Sequence, residues 1–190
     1  SLPAPEAQTH DWIEGDYLYT AGKDYPHKNI DLLLRSLPSL PSDLNLIAAG
    51  FEADADHQYA RLSRHLDVAD RVKFAGYVSC ERLASLYANS TAYVHPAKYE
   101  GFGFPVLGAM HYRTPVVCST AGAIPEIAGD AALFFGPGST KEHCERVRSV
   151  REDPTLRTRL IADGLTRASE FSCERFTATI LDSCERAATR

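Results

Sequence analysis

The strongest constraint on the fold is an alternation of short apolar segments with helix-like segments, which runs from Asp16 to about Gly136. The apolar segments lack the strict apolar–polar alternation of a strand that has one face in water. They are therefore typical of strands buried on both faces, as in a parallel sheet covered by helices. The sequence predicts a doubly wound, Rossmann-like α/β fold with strands at 17–21, 44–49, 72–75, 92–95, 115–118 and 132–135.

Helices are predicted between these strands and throughout the end of the chain. The first five lie at 28–37, 57–66 and 81–88, from Gly103 or Phe104 onward, and at 124–128. From Thr140 the chain forms a helical C-terminal extension, predicted at 140–151, 154–169 and 172–188. The polar, proline-containing start predicts a linker at 1–15, followed by one domain at 16–190.

Composition excludes several classes of function. The net charge is −5 and no basic cluster occurs, so nucleic acid is not expected as the main partner. No apolar run reaches the roughly 18 residues of a membrane span, so no transmembrane segment is predicted. The five cysteines are odd in number and lack metal-ligand spacing. We expect free thiols in a reducing cytoplasm, and no structural zinc.

The segments that follow the strands carry the candidate site residues. In an open parallel sheet, ligands bind in the crevice beyond the carboxyl ends of the strands. Nearly all of these segments contain glycine, which lets backbone N–H groups approach a ligand closely. They lie at 22–29, 50–56, 76–79, 96–105 and 119–126.

The fourth of these segments places Glu100 before Gly101, Phe102, Gly103 and Phe104, at a predicted helix start. Backbone N–H groups at a helix start have no intrahelical partner, and with the helix dipole they favour an anion such as a diphosphate. Glu100 could instead be an acid that caps the helix. The binding role is favoured because the Gly-Phe-Gly sequence is not one that typically caps a helix. Exposed phenylalanine side chains also cost free energy unless a packing partner or a ligand covers them.

The first segment supplies Gly22, Lys23 and Lys28. Ammonium groups offset the negative charge of a nucleoside diphosphate, and each charge-assisted hydrogen bond contributes about 1.5–3 kcal/mol. Both lysines could equally be solvated surface charges, as most lysines are. Spacing alone leaves the two interpretations open.

Four segments in this order resemble the C-terminal domain of GT-B-fold glycosyltransferases, specifically the retaining family 4, also called glycosyl transferases group 1. The resemblance covers nearly the whole chain from about Tyr17. Its third segment is similar to the E-x7-E signature of that family. The segments are YTAGKDYPHKN at 19–29, VKFAGYVS at 72–79, HPAKYEGFGFPVLGAM at 95–110, and TPVVCSTAGAIPE at 114–126.

The resemblance implies one half of a GT-B fold and a role for each segment. Lys23 and Lys28 would bind the donor diphosphate next to Gly22, and the amides of Gly103 and Phe104 would assist. Glu100, the other implied catalytic residue beside Lys28, would contact hydroxyls of the transferred sugar. The loop of Gly76, Tyr77, Val78 and Ser79 would border the nucleobase. Such enzymes transfer a sugar with retention of configuration and without a metal ion.

Two positions depart from the family pattern. Gly108 stands where the second glutamate of the signature holds the ribose hydroxyls, so about 1.5–3 kcal/mol of donor affinity is in question. Lys23 stands where arginine is common, so charge is kept but bidentate contact is lost.

Three polar groups have competing interpretations. Asp54-Ala-Asp56 is similar to the DxD metal motif of a different glycosyltransferase fold, but an acidic loop that caps the next helix is favoured. His27 and His95 could be acid/base groups. For His95, which precedes Pro96, a local hydrogen bond is favoured, whereas His27 between the two lysines stays open.

The resemblance implies a partner domain, because a GT-B enzyme binds donor and acceptor between two Rossmann-like halves. We expect a further N-terminal domain that binds a sugar, lipid-linked or small-molecule acceptor, and a cytoplasmic enzyme that this domain could hold at the inner membrane face. A helix at 174–188 would cross back toward it. The alternatives are a non-catalytic nucleotide-sugar-binding or regulatory domain, which Gly108 keeps open, and a protein-interaction domain with a decayed site.

Overall fold

The structure, a computed structural model, describes residues 15–51, 54 and 56–171. The predicted linker at 1–15, apart from Gly15, and the predicted helices at 172–188 and 174–188 lie outside the described residues. The division into a linker and one domain therefore stays a prediction.

In the described part of the chain, six strands form one parallel sheet in the order β3-β2-β1-β4-β5-β6. This confirms the predicted doubly wound α/β fold, and each strand lies within one or two residues of its predicted position. The strands are β1 Tyr17–Ala21, β2 Asn45–Ala49, β3 Val72–Gly76, β4 Ala92–His95, β5 Val116–Ser119 and β6 Ala132–Phe135.

Seven α-helices connect and cover these strands within the same described ranges. They are α1 Ile30–Ser36, α2 Gln58–His65, α3 Cys80–Ala88, α4 Phe104–His111, α5 Ile124–Ala128, α6 Thr140–Glu152 and α7 Pro154–Ser169. The first begins two residues later than predicted, because Asn29 adopts a left-handed conformation with φ 57° and Pro26–Lys28 form a 3-10 turn before it.

Two hydrophobic clusters cover the two faces of the sheet. Successive side chains of a strand point to opposite faces, so Leu18 of β1 packs in one cluster and Tyr19 in the other. The cluster around Leu18 includes α1 and α6, and the cluster around Tyr19 includes α3, α4 and α5. Burial on both faces explains why the strand sequences are largely apolar. The edge strand β3 is less buried than the others and carries exposed Lys73.

The strand order reverses between β1 and β4, which are neighbours in the sheet although 70 residues of chain lie between the end of β1 and the start of β4. From β1 the chain winds outward to β2 and β3, and from β4 it winds the other way to β5 and β6. The loops after β1 and β4 therefore leave a crevice between them at the carboxyl edge of the sheet, where ligands bind in this fold.

His143 of α6 is fully buried, and neither ring nitrogen has a hydrogen-bond partner among the described residues. Its ring meets Phe135 edge-on, with 5.2 Å between centroids. Burial lowers the pKa of His143 to about 4, because an imidazolium without a partner is unstable in an apolar environment.

Acid should therefore destabilise the fold through His143. The unfolded chain binds a proton at His143 near pH 6.5 and the folded chain only near pH 4, so stability falls as the pH drops through this window. We expect a loss of roughly 2 kcal/mol between pH 7 and pH 5, measured by urea unfolding. His143→Leu should remove most of this loss, and His111→Leu, at an exposed histidine, should leave it unchanged. An equal loss in the His143→Leu protein would contradict the prediction.

Candidate functional site

The Glu100 carboxylate lies at the centre of the crevice between β1 and β4. Lys28 Nζ lies 2.8 Å from Glu100 Oε2, and His95 Nε2 lies 3.1 Å from the same oxygen. Among the described residues, no group donates to the other oxygen, Oε1. The crevice therefore holds a fixed carboxylate that has one oxygen available to a ligand.

This carboxylate stays ionised. The hydrogen bond from His95, with the hydrogen bond and positive charge of Lys28, lowers the pKa of Glu100 to about 2, although burial opposes the shift. His95 and Tyr93 are both buried, and the Tyr93 hydroxyl lies 3.2 Å from His95 Nδ1. The local hydrogen bond favoured for His95 is thus present. The other ring nitrogen of His95 contacts the site carboxylate directly.

Lys28 reaches Glu100 by passing over Gly22. The aliphatic carbons of Lys28 lie 3.5 Å from the position that a Cβ would take at Gly22. Lys28 uses one of its three ammonium protons on Glu100, which leaves two for other acceptors. Lys23 lies exposed at the rim, and the exposed ring of His27 stacks on Tyr25 with 5.5 Å between centroids.

The loop after β4 is held by hydrogen bonds to the loop after β1 and to the end of β5. Asn29 Nδ2 donates to the carbonyl oxygens of Pro96 and Pro137 at 2.9 and 2.8 Å. Ser119 Oγ donates to Ala97 O, and the amide of Lys98 donates to His27 O. The sequence does not single out Asn29 or Ser119, although asparagine is among the residues enriched in left-handed backbone.

Two glycines allow neighbouring loops to touch through their backbones. Gly122 has φ 59°, and a Cβ there would lie 2.3 Å from Glu100 O. The amide of Ala123 donates to this same Glu100 oxygen at 3.0 Å. Gly50 has φ 81°, and a Cβ there would lie 2.0 Å from Gly22 O. Both loops had been identified from the sequence, but these contacts had not.

The start of α4 presents amides and aromatic rings to the crevice. Gly103 precedes the helix with φ 110°, and no described residue accepts a hydrogen bond from the amides of Gly103 and Phe104. Phe104 is 74% exposed, and its ring is tilted at 40° against that of Phe102 with 4.6 Å between centroids. Gly101 has open space beside it. These features are those expected of an anion-binding helix start.

The loop after β3 presents Tyr77, which is 90% exposed, next to Val78, which packs against the core. Gly76 connects this loop to the preceding one, since its carbonyl accepts from the amide of Gly50 at 2.6 Å. Because β3 is an edge strand two places from β1, the loop lies on the outer side of the site.

Gly108 lies on the second turn of α4. A Cβ there would meet the Tyr87 ring at 3.5–3.6 Å, and the Tyr87 hydroxyl donates to Pro105 O at 3.1 Å. The helix therefore offers no side-chain acceptor at this position.

The acidic loop before α2 has the geometry of a turn. Asp54 Oδ1 accepts from the amide of Asp56 at 3.1 Å, which closes a turn before α2. The predicted helix cap is instead supplied by His57, whose side chain accepts from the amide of Tyr59. Within the described ranges, no group of three or more His, Cys, Asp or Glu side chains is placed to hold a metal ion. No helix in those ranges is long and apolar enough to cross a bilayer.

The parallel sheet with a charged crevice at its reversal point defines a Rossmann-like, ligand-binding α/β domain. The family model of glycosyl transferases group 1 matches residues 12–167. The chain therefore belongs to this family and has the fold of the C-terminal domain of a GT-B glycosyltransferase.

The chain resembles both full-length relatives and an isolated domain. The O-antigen chain mannosyltransferase B of Escherichia coli is 32% identical over 183 residues, which are 94% of this chain and 48% of that protein. The chain thus spans about half the length of this curated relative. Anabaena HepE in complex with UDP-glucose superposes with a TM-score of 0.82 at 20% identity, over 91% of this chain and 49% of that one.

The third comparison is the C-terminal domain of a glycosyl transferase group 1 family protein from Francisella tularensis. It superposes with a TM-score of 0.73 at 20% identity, over 88% of this chain and 94% of that one. A domain of this extent therefore has a close counterpart in fold.

Gly122→Ala should disturb the fold and the position of Glu100 together. The added methyl group would overlap the Glu100 backbone, and the left-handed conformation disfavours alanine. We expect unfolding free energy to fall by on the order of 2–4 kcal/mol, measured by urea unfolding. Gly101→Ala is the control, since it enters open space and should change stability by less than about 1 kcal/mol. Equal effects of the two changes would contradict the prediction.

Proposed function

We propose that this chain is the donor-binding domain of a retaining glycosyltransferase, which transfers a sugar from a nucleoside-diphosphate sugar to an acceptor. The observation that carries the proposal is the Lys28–Glu100 pair in the crevice between β1 and β4, beside the unpaired amides at the start of α4. The site thus offers positive groups for a diphosphate and an ionised carboxylate for sugar hydroxyls within one crevice.

Lys28 and the start of α4 are assigned to the diphosphate. Two ammonium protons of Lys28 and the amides of Gly103 and Phe104 can donate to phosphate oxygens, and exposed Lys23 adds charge at the rim. Positive groups fixed where a leaving group gains charge are the main source of rate enhancement in such reactions. Because the protein supplies this charge itself, the proposal includes no metal ion.

Glu100 is assigned to the transferred sugar. An ionised carboxylate only accepts hydrogen bonds, and Oε1 accepts none from the described residues. Two neighbouring sugar hydroxyls can donate to it, which orients the anomeric carbon toward the acceptor. Glu100 and Lys28 are therefore the residues proposed to act in catalysis.

The outer loop is assigned to the nucleobase. Tyr77 exposes nearly its whole ring beside Gly76 and Val78, and an exposed ring can stack on a base. Gly108 cannot hold the ribose with a carboxylate, so the affinity for the nucleotide should be lower by about 1.5–3 kcal/mol than with a glutamate there.

The relatives support the class of donor and the need for a second domain. HepE was solved with UDP-glucose and the E. coli relative is named a mannosyltransferase, which supports a nucleotide sugar as the donor. Because the chain spans about half of that relative, we assign acceptor binding to an N-terminal domain and expect no turnover without it. The acceptor class remains a glycan, a lipid-linked sugar or a small molecule, and the proposed location is cytoplasmic.

A second candidate function is non-catalytic nucleotide-sugar binding. Gly108 favours it, because the family carboxylate for the ribose is absent. Joining the chain to an N-terminal half of a group 1 relative separates the two candidates, since sugar transfer by the joined protein supports the enzyme alone.

Calorimetric titration with UDP, GDP and ADP tests the diphosphate assignment. We expect one nucleotide to bind, and Lys28→Ala to weaken it about tenfold or more because a charged donor is lost. Lys141→Ala, at an exposed lysine of α6, is the matched control and should have no effect. Glu100→Gln should weaken a nucleotide sugar but hardly affect the nucleotide. No binding at millimolar concentration, or equal effects of the two lysine changes, would overturn the assignment.

Tyr77→Ala tests the nucleobase assignment. Loss of a stacking ring should cost roughly 1–3 kcal/mol of nucleotide affinity, while the affinity for inorganic pyrophosphate stays the same. The thermal midpoint should also stay the same, because the ring lies outside the core. Nucleotide affinity that matches the unaltered chain would remove Tyr77 from the site.

A further inference from the structure

The buried end of β4 connects to the candidate site through a row of hydrogen bonds. Tyr93 and His95 lie two residues apart on this strand, so their side chains share one face of the sheet. The Tyr93 hydroxyl lies 3.2 Å from His95 Nδ1, and His95 Nε2 lies 3.1 Å from Glu100 Oε2. The row thus leads from the core to the carboxylate assigned to the sugar.

The row has a defined direction of hydrogen bonding. Ionised Glu100 can only accept, so the His95 proton toward it must be on Nε2. In the ring form whose only proton is on Nε2, Nδ1 is an acceptor to which the Tyr93 hydroxyl can donate. Glu100 thus selects the ring form that carries a proton on Nε2, and the Tyr93 hydroxyl, which can donate or accept, makes the second contact that holds the ring.

Two histidines are buried among residues 15–51, 54 and 56–171, and they differ in a way that points to a role. His143 is buried with neither nitrogen paired, and His95 is equally buried with both nitrogens paired. An unpaired histidine such as His143 acts as a packing group. Both nitrogens of His95 instead lie within hydrogen-bond distance of polar groups, one of which is the candidate catalytic carboxylate.

We propose that His95, held by Tyr93, is a positioning residue that fixes Glu100 so that Oε1 meets the donor sugar and Lys28 stays free to serve the diphosphate. This inference rests on the proposed function. Without His95, the carboxylate can turn and take both oxygens to Lys28, because Lys28 is then the one charged partner that the described part of the chain offers it. The sugar hydroxyls then lose their hydrogen-bond acceptor. The diphosphate loses hydrogen bonds from Lys28, because Glu100 takes up more of the ammonium protons.

Glu100 is faced by a small set of titratable groups. Lys28 faces it from the first loop, and His95 and Tyr93 face it from β4. The loop after β5 contributes only backbone, through Gly122 and Ala123. A change in the ionisation of Glu100 on substitution of His95 can therefore be assigned to this row.

Three variants test the proposal. His95→Leu removes both nitrogens, His95→Gln keeps an amide donor near the place of Nε2, and Tyr93→Phe removes only the hydroxyl. His143→Leu is the control for loss of a buried histidine. The first measurement is the titration of the Glu100 side-chain carboxyl by ¹³C NMR in the chain without nucleotide. The second is the ratio of the dissociation constants of UDP, GDP or ADP to those of UDP-glucose, GDP-mannose or ADP-glucose.

We expect His95→Leu to move the Glu100 titration upward from about 2 toward the ordinary carboxyl range. It should also cut the preference for the sugar-bearing ligand about tenfold, and Tyr93→Phe about threefold, as loss of a hydrogen bond to a charged group and of a neutral one would. His95→Gln should restore most of both. His143→Leu should change neither.

Two results would overturn the proposal. One is a Glu100 titration that is the same with and without His95, and the other is an equal loss of affinity for nucleotide and nucleotide sugar. If the unaltered chain binds no nucleotide, the proposed function fails, and the Glu100 titration alone then decides whether His95 controls the carboxylate. If His95→Leu does not fold, Tyr93→Phe decides. An unchanged preference for the sugar-bearing ligand in that variant, in place of the expected threefold loss, would overturn the proposal.

Discussion

The site depends on one carboxylate that the described residues hold through only one of its oxygens. Two donors on Glu100 Oε2, at 2.8 and 3.1 Å, offset the cost of placing a charge in a half-buried position. A carboxylate paired through both oxygens would also stay ionised, but it would have no oxygen left to accept a hydrogen bond from a ligand. The pairing found here keeps the group ionised and leaves Oε1 for a ligand, so the stability of the charge and its use in binding do not compete.

That arrangement needs the reversed strand order. Lys28 and Glu100 are 72 residues apart in the chain, and they meet because β1 and β4 are neighbours in the sheet. Backbone contacts then fix the height of each loop above the sheet edge. The Gly50–Gly22 contact fixes the position of the first loop, and the Gly122–Glu100 contact fixes that of the fourth. Gly50 and Gly122 have no assigned role in ligand binding, yet they determine how far the charged side chains of these loops can reach.

Much of this could be predicted from the sequence, because largely apolar strands and glycine-rich segments after them are local signals. They located the sheet, the loops and the residues Lys28 and Glu100. The row from Tyr93 through His95 to Glu100 could not be predicted, because it depends on a bend of the chain after Pro96 that returns the carboxylate to the strand. The late start of α1 was missed for a similar reason, since Asn29 takes its left-handed conformation while its side chain bonds to two distant carbonyls.

The centre and the rim of the site differ in how firmly they are held. Glu100, Lys28 and His95 restrain one another, and the backbone around them is fixed by Asn29, Ser119 and Ala123. Around this centre, Lys23 is exposed and Tyr77 and Phe104 present open aromatic surface. Exposed aromatic groups gain stability only when something covers them. A fixed charged centre within an uncovered aromatic rim is therefore suited to a ligand that the domain orients by its charges and that a second surface encloses.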